Sequence, residues 1–217
     1  MAIVESFSGI RGIYGKDLNA SVAIRYTHSY AQFLRNKAKK KNPTIVIGMD
    51  TRPSGRLILD AILEIIDLNF IDVGILPTPA IEFAVRHFEA DGGIAITASH
   101  NEPFWNGFKF LGNDGAILTE NGMDLVISNS RNLRDFHKIQ DRRISEKRNE
   151  ALKRYSEFIF DIIGKENIEI IRRSKMKIVL DPNGGSGVIA KKILEDAGVE
   201  VIGINMIYGE FNRKVEP

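Results

Sequence analysis

The chain has 217 residues, enough for one to two domains, and 43% of them are hydrophobic, so an ordinary buried core is expected. Its 30 Lys and Arg nearly balance 28 Asp and Glu, a net charge of +2, which argues against nucleic acid or an anionic membrane as the main partner. The absence of cysteine excludes disulfides, thiolate metal sites and a cysteine nucleophile, and fits a reducing compartment. No apolar run reaches the ~20 residues that span a bilayer and no signal-peptide pattern is present, so we expect a cytoplasmic protein.

Strands and helices alternate along the first part of the chain. Apolar runs rich in β-branched residues predict buried strands at 44–49, 71–76 and 93–97. Three- and four-residue spacing predicts the intervening helices, at about 22–37, 57–68 and 80–87. Such strand–helix–strand units indicate a largely parallel sheet with helices on its faces.

A Gly/Asn/Asp cluster at 112–115 predicts a hairpin turn between short strands at 107–111 and 116–118. We expect one more helix over 120–129. The polar, charged stretch 129–143 then indicates a boundary.

Beyond this boundary, we expect a helix at 145–163 that stops at Gly164. A second α/β pattern follows, with strands at 177–181 and 199–205 and a helix that ends near residue 197. Two strands and one helix cannot cover both faces of a sheet, so either a partner completes this unit or, as we favour, the chain is the front part of a longer protein.

These elements predict an α/β fold with three parts. The first domain, 1–140, has a mixed, mainly parallel sheet flanked by helices. A connecting helix and linker occupies 141–172. The beginning of a second, similar α/β domain occupies 173–217.

The most informative stretch for chemistry is 92–109. Its strand delivers Ser99, His100 and Asn101 to the carboxyl end of the sheet, where open α/β sheets bind ligands. Lys109 follows ten residues after Ser99. A hydroxyl, an imidazole, an amide and an ammonium suit an anionic substrate and a hydroxyl that gives or takes a group. The alternative is a polar loop in which Ser99 or Asn101 caps a helix.

The same stretch resembles the phosphoserine loop of the α-D-phosphohexomutases, the family of phosphomannomutase, phosphoglucomutase and phosphoglucosamine mutase. That loop reads T-A-S-H-N-P and then N-G-x-K, matched here at 97–101 and 106–109, although Glu102 replaces the first proline. Other family motifs occur in the same order: S-G-I-R-G at 8–12, G-x-D-x-R-x-S-G at 48–55, G-x-x-P-T-P at 74–79 and D-P-N-G-G-S-G at 181–187.

The resemblance implies a phosphoryl-transfer mechanism. Ser99 would carry a phosphoryl group and give it to a hexose 1- or 6-phosphate, forming a 1,6-bisphosphate that reorients before the other phosphate returns to serine. Mg²⁺, Arg11 and Lys109 would neutralise the charge. Lys109 is the first candidate for the general acid/base, followed by His100.

The resemblance also implies supporting roles for Asn101, Arg52 and Ser8 in holding the loop or the substrate. Ser99 would bind Mg²⁺ through its phosphate. The metal-binding D-G-D-x-D-R loop of the family is missing from these 217 residues, so the other ligands are expected beyond residue 217 and the chain alone is expected to be inactive. The partner would be a small sugar phosphate, with hexose 1,6-bisphosphate as activator. The resemblance is compatible with a homo-oligomer.

Neighbouring motifs have simpler structural interpretations. Ser54 is typical of a helix N-cap, and Asp50 is suited to closing the preceding turn through an Asx hydrogen bond.

Three other functions compete with a hexose mutase. Phosphoglucosamine mutase loops more often begin Ser-Ala-Ser, so Thr97 favours a mannose or glucose substrate. A serine hydrolase would pair Ser99 with His100, but neighbours on extended backbone point to opposite sides and no G-x-S-x-G elbow is present. A non-catalytic sugar-phosphate-binding fragment is the third alternative.

Overall fold

A computed structural model of the chain describes residues 3–131 and 143–214, in which one large sheet has helices on both faces. The strands of these ranges are β1 (Val4–Ser6), β2 (Gly9–Ile13), β3 (Thr44–Met49), β4 (Asn69–Ile75), β5 (Gly92–Ile96), β6 (Trp105–Leu111), β7 (Arg143–Glu146), β8 (Lys177–Leu180) and β9 (Glu200–Gly203). The helices are α1 (Ala20–Ala38), α2 (Gly55–Ile65), α3 (Thr78–His87), α4 (Glu120–Ser130), α5 (Arg148–Ile163), α6 (Lys165–Ser174) and α7 (Ala190–Asp196), the last preceded by a 3₁₀ turn at Ser186–Ile189.

The large sheet has the strand order β1-β2-β6-β5-β3-β4-β7. Strands β5, β3, β4 and β7 run parallel, and β6, β2 and β1 extend the sheet in antiparallel fashion. Helices connect the parallel strands because such strands need a crossover. This arrangement confirms the predicted mixed, mainly parallel sheet flanked by helices.

The core lies on both faces of this sheet because successive side chains of a strand point to opposite sides. On one face, alternate residues such as Ile45, Ile94 and Phe108 pack beneath α1, α2 and α4. On the other, Val46 and Ala95 pack beneath α3 and α5. Burial on both sides explains why β3 is an unbroken apolar run.

Residues 143–163 differ from the sequence prediction. The helix predicted from residue 145 begins at Arg148, and the preceding residues form β7, which pairs with β4. Every residue of β7 is exposed, so this edge strand has no apolar alternation to reveal it. Helix α5 packs on α3. The predicted stop at Gly164 is present, with φ +80°.

Several other local elements were missed or only partly predicted. The short β1–β2 hairpin and helix α6 had no prediction. The hairpin predicted around 112–115 is reduced to one bridge between Leu111 and Ile117. Residues 132–142 of the predicted boundary segment lie outside the described residues.

The second unit contains the parallel pair β8–β9 with α7 beside β9. Ile189 and Ile193 join the core cluster that also includes Ala151 of α5. On the strands, Val179 and Ile202 are 64% and 47% exposed. The division of the chain at 140 and 172 stays a prediction. None of the helices in the described ranges combines the length and apolar character needed to cross a membrane.

The buried hydroxyl of Tyr30 ties α1 to the sheet. It donates to the Leu111 carbonyl (2.6 Å) and accepts from the Gly93 N–H (2.9 Å). We expect Tyr30→Phe to lower the free energy of unfolding by about 1–3 kcal/mol, because both backbone groups lose this partner in the core. Urea denaturation measures the change. Tyr155→Phe is the control, since its hydroxyl makes no hydrogen bond within the described ranges. Equal effects of both substitutions would contradict this prediction.

Candidate active site

The loops that follow β3 and β5 lie side by side at the carboxyl ends of these two central strands. The Asp50 N–H donates to the Ile96 carbonyl at 3.0 Å, which joins the start of one loop to the strand that leads into the other. The loops form one wall of a cleft of about 920 Å³, and residues 182–186 and 211–214 contribute the opposite wall. Ser99 and His100 are exposed and line this cleft.

Ser99 has a fixed backbone and an exposed side chain. Its φ of +58° is in the left-handed region, which is uncommon for a residue other than glycine. Its N–H donates to Thr97 Oγ1 at 2.9 Å, and its carbonyl accepts from Arg52 Nη2 at 2.9 Å. Both of its backbone polar groups are therefore held.

Arg52 is the centre of the loop that carries Ser99, and it is only 6% exposed. A guanidinium has five N–H bonds in a rigid plane. Here they support five hydrogen bonds of 2.6–3.0 Å, accepted by the Asp50 carboxylate and by the carbonyls of Ser99, Asn101, Glu102 and Trp105. The loop is thus folded around one buried cation.

Asp50 compensates this charge and binds Thr97. Its Oδ1 accepts from the Arg52 backbone N–H at 3.0 Å, as the Asx interpretation predicted. Its Oδ2 accepts from Arg52 Nε (3.0 Å) and from the Thr97 hydroxyl (2.6 Å). One carboxylate therefore connects the two loops.

Ser54 is the N-cap residue of α2, as predicted, but its side chain makes no capping hydrogen bond. Its hydroxyl instead accepts from Nδ2 of the fully buried Asn106 at 2.9 Å. Asn106 Oδ1 accepts from the Gly107 N–H, and a Cβ at Gly107 would lie 2.0 Å from the Ile10 carbonyl oxygen. This contact requires glycine where β2 meets β6.

Arg11 and Lys109 lie on the neighbouring antiparallel strands. Arg11 of β2 is opposite Gly107, and Lys109 is two residues further along β6. Ile10 and Phe108 alternate with them and are buried beneath α1 and α2, so both cations project from the other face. Within the described ranges neither cation makes a hydrogen bond or ion pair, and neither is part of the cleft walls.

Lys109 acts electrostatically on Glu82 of α3. The pKa of the Glu82 carboxyl is raised because the carboxyl is partly buried. The charges of Lys109 and Arg86 lower this pKa and so offset only part of the rise. Lys109 is therefore close enough to α3 to interact with a carboxyl group there.

Of the remaining predicted residues, Asn101 lies in the loop that carries Ser99, and Ser8 lies in the turn between β1 and β2. The Asn101 N–H donates to the Ala98 carbonyl at 3.2 Å, and its buried Oδ1 has no partner in the part of the chain that the structure describes. The Ser8 hydroxyl shares a hydrogen bond with the Ser6 hydroxyl at 3.0 Å, in the turn between β1 and β2. The structure thus brings Ser99, His100 and Arg52 to the cleft wall, whereas Asn101 and Ser8 are not among its described lining residues.

The opposite wall contains groups that the sequence analysis did not nominate. Asn183 Oδ1 accepts from the N–H groups of Asn212 and Arg213, both at 3.0 Å, which folds the C-terminal segment back onto the turn at 182–186. Arg213 pairs with Asp181 at 2.8 Å, and Lys214 lines the cleft beside it. The motif at 181–187 marked this turn, but nothing in it marked residues 213 and 214.

The described residues do not make a magnesium site by themselves. No three His, Asp or Glu side chains cluster within 3–131 and 143–214. Asp50 is already bound to Arg52 and Thr97. We therefore assign no chemical step to a metal, and Ser99 as a metal ligand stays a prediction.

Comparisons with known proteins place this geometry in a family. The chain is 33% identical over 201 residues to the phosphoglucomutase/phosphomannomutase of Thermococcus kodakarensis, covering 91% of the chain and 43% of the relative. It is 38% identical over 206 residues to a phosphoglucosamine mutase of Prochlorococcus marinus, covering 91% and 42%. The chain thus spans less than half the length of these relatives.

A solved structure of a candidate phosphomannomutase from Thermus thermophilus has the same fold, with a TM-score of 0.81 and 22% identity, covering 96% of this chain and 47% of that one. Residues 5–134 match the family described as "Phosphoglucomutase/phosphomannomutase, alpha/beta/alpha domain I". This match includes more than half of the chain, and the chain therefore belongs to the phosphoglucomutase/phosphomannomutase family.

Proposed function

We propose that this chain is the N-terminal part of a phosphohexomutase that interconverts hexose 1-phosphate and hexose 6-phosphate, with mannose or glucose as the sugar. The observation that carries the proposal is Ser99. Its hydroxyl is exposed in a cleft at the carboxyl end of a parallel sheet, while its backbone is hydrogen-bonded on both sides. Family membership supports the same reaction.

Ser99 carries the phosphoryl group in this proposal. A sugar hydroxyl oxygen attacks the phosphorus of phosphoserine, the bond from phosphorus to Oγ breaks, and the proton lost by the sugar hydroxyl is balanced by one that Oγ gains. The bisphosphate reorients, and its other phosphate returns to Ser99 by the reverse step. Such a reaction depends chiefly on in-line positioning and charge neutralisation, which a fixed serine backbone favours.

Arg11 and Lys109 are the proposed phosphate-neutralising cations. Both project from the sheet face opposite α1 and α2, and neither is paired within the described ranges. Arg52 has a different role because all its N–H bonds are already used by the loop. Lys109 is the first candidate for the general acid/base, and the cleft-lining His100 is the second.

We propose Mg²⁺ as cofactor and hexose 1,6-bisphosphate as activator. When bound, the metal would neutralise phosphate oxygens. Its ligands other than the Ser99 phosphate would come from a region beyond residue 217, equivalent to the part of the relatives that this chain does not cover. A cytoplasmic location and a sugar phosphate as partner complete the proposal.

Phosphoglucosamine mutase is the second candidate. A relative with that name is 38% identical to the chain, above the 33% of the Thermococcus protein. Assays with glucose 1-phosphate, mannose 1-phosphate and glucosamine 1-phosphate distinguish the candidates.

The gene product that contains this sequence should carry phosphate on Ser99 when purified from cells. Mass spectrometry of the peptide around Ser99 measures it. Ser99→Ala should abolish both this phosphate and mutase turnover, because the phosphoryl carrier is lost. Ser128→Ala, on the exposed surface of α4, is the control. Full turnover in Ser99→Ala would reject the assignment.

Lys109→Ala should reduce kcat about 10²–10³-fold with a smaller change in KM, because it removes a charge that acts on the transition state. Arg11→Ala should impair both kcat and KM. Steady-state kinetics with Mg²⁺ and bisphosphate measure these effects. Arg56→Ala, which removes only an exposed ion pair with Asp60, is the control. Wild-type kinetics in either site variant would show that the wrong cation was chosen.

The 217-residue chain alone should not interconvert hexose phosphates. It spans less than half of its relatives, and the described residues provide no metal-ligand cluster. The measurement compares the purified chain with the complete Thermococcus kodakarensis relative. Similar turnover by both would disprove our placement of the metal ligands.

A further inference from the structure

We propose that Arg52, Asp50 and Thr97 are positioning residues that hold Ser99 in its left-handed conformation and so present its hydroxyl at one point in the cleft. The inference rests on the proposed role of Ser99 as phosphoryl carrier. It assigns these three side chains to the geometry of transfer rather than to contact with the sugar phosphate.

Thr97 connects the carboxylate of Asp50 to the backbone of Ser99. A hydroxyl has one proton to donate, and Thr97 donates it to Asp50 Oδ2 at 2.6 Å. Its oxygen lone pairs are then left to accept the Ser99 N–H at 2.9 Å. Asp50 thereby fixes the direction of the hydrogen bond that holds Ser99.

Arg52 holds the loop from the other side of Ser99. Its fork donates to the Ser99 carbonyl, to two other carbonyls of the loop and to that of Trp105 at the start of β6, all from a nearly fully buried position. A lysine ammonium has three donors and no planar fork, so it cannot reproduce this set. Because the guanidinium has no free N–H, it is not available to a substrate phosphate.

The conformation of Ser99 needs such support. A φ of +58° is sparsely populated by residues with a Cβ and persists only where surrounding contacts over-determine it. Once either contact is lost, Ser99 is free to return to an ordinary backbone conformation. Its hydroxyl then leaves the in-line position, for which a displacement of about 1 Å can cost 10²-fold in rate.

The first test measures amide hydrogen exchange by NMR in the 217-residue chain, and it needs no activity. Thr97→Val removes the hydroxyl and should accelerate exchange at the Ser99 N–H roughly tenfold, the equivalent of one net hydrogen bond. Thr97→Ser keeps the hydroxyl and should restore the protection. Thr119→Val is the matched control, since it removes a hydroxyl that accepts the Gly122 N–H at the start of α4.

The second test measures kinetics in the gene product that contains this sequence. Thr97→Val and Arg52→Lys should each lower kcat about 10–100-fold while KM changes little, since positioning acts on transfer more than on binding. Thr97→Ser should recover most of kcat. Arg35→Lys is the matched control, because Arg35 donates to the carbonyls of Lys41 and Asp67 away from the cleft.

The two tests separate the inference from the proposed function. Unchanged exchange at Ser99 in Thr97→Val, or unchanged kcat in Thr97→Val and Arg52→Lys, would overturn the inference. An inactive wild-type protein on all three sugar phosphates would overturn the proposed function, and the exchange measurement would still decide whether Thr97 holds Ser99.

Discussion

At the candidate site, the buried side chain of Arg52 donates the hydrogen bonds to backbone carbonyls that a neighbouring strand would otherwise donate. Backbone carbonyls that leave water need hydrogen-bond donors, and the loop after β5 has no neighbouring strand to supply them. Arg52 supplies donors to three of its carbonyls and to that of Trp105 at the start of β6, and Asp50 balances the charge. This guanidinium contacts both the Ser99 carbonyl on the cleft wall and the Asp50 carboxylate that joins the two loops.

Charge is organised similarly on both walls of the cleft. Arg52 is paired with Asp50 on the first wall, and Arg213 with Asp181 on the second. A hydrogen bond from Asn205, together with the Asn183 backbone and Arg213, lowers the pKa of the Asp181 carboxyl and favours the charged pair. The two arginines differ in exposure, since the Arg52 side chain is buried and that of Arg213 is 61% exposed. Arg213 and Lys214 therefore both present positive charge at the second wall.

The sequence predicted the longer elements on which burial imposes a clear pattern. β3 was correctly bounded because both its faces are covered. β7 was missed because all its residues are exposed. At the site, motif spacing identified the loop of Ser99. The carbonyls that accept hydrogen bonds from Arg52 could not be predicted, because every residue has a backbone carbonyl. Ser54 was correctly predicted as an N-cap residue. The partner of its hydroxyl, Asn106, was not predicted because it lies 52 residues away.

Glu102 illustrates a consequence of holding the loop through backbone carbonyls rather than through side chains. The loop uses only its carbonyl, which accepts from Arg52 Nη1 (2.6 Å) and from the Trp105 N–H (2.9 Å). Its own N–H makes no backbone hydrogen bond in the described part of the chain, so a proline there forfeits none. The loop's hydrogen bonds therefore place no demand on the amide group of residue 102, which is the group that distinguishes proline from other residues.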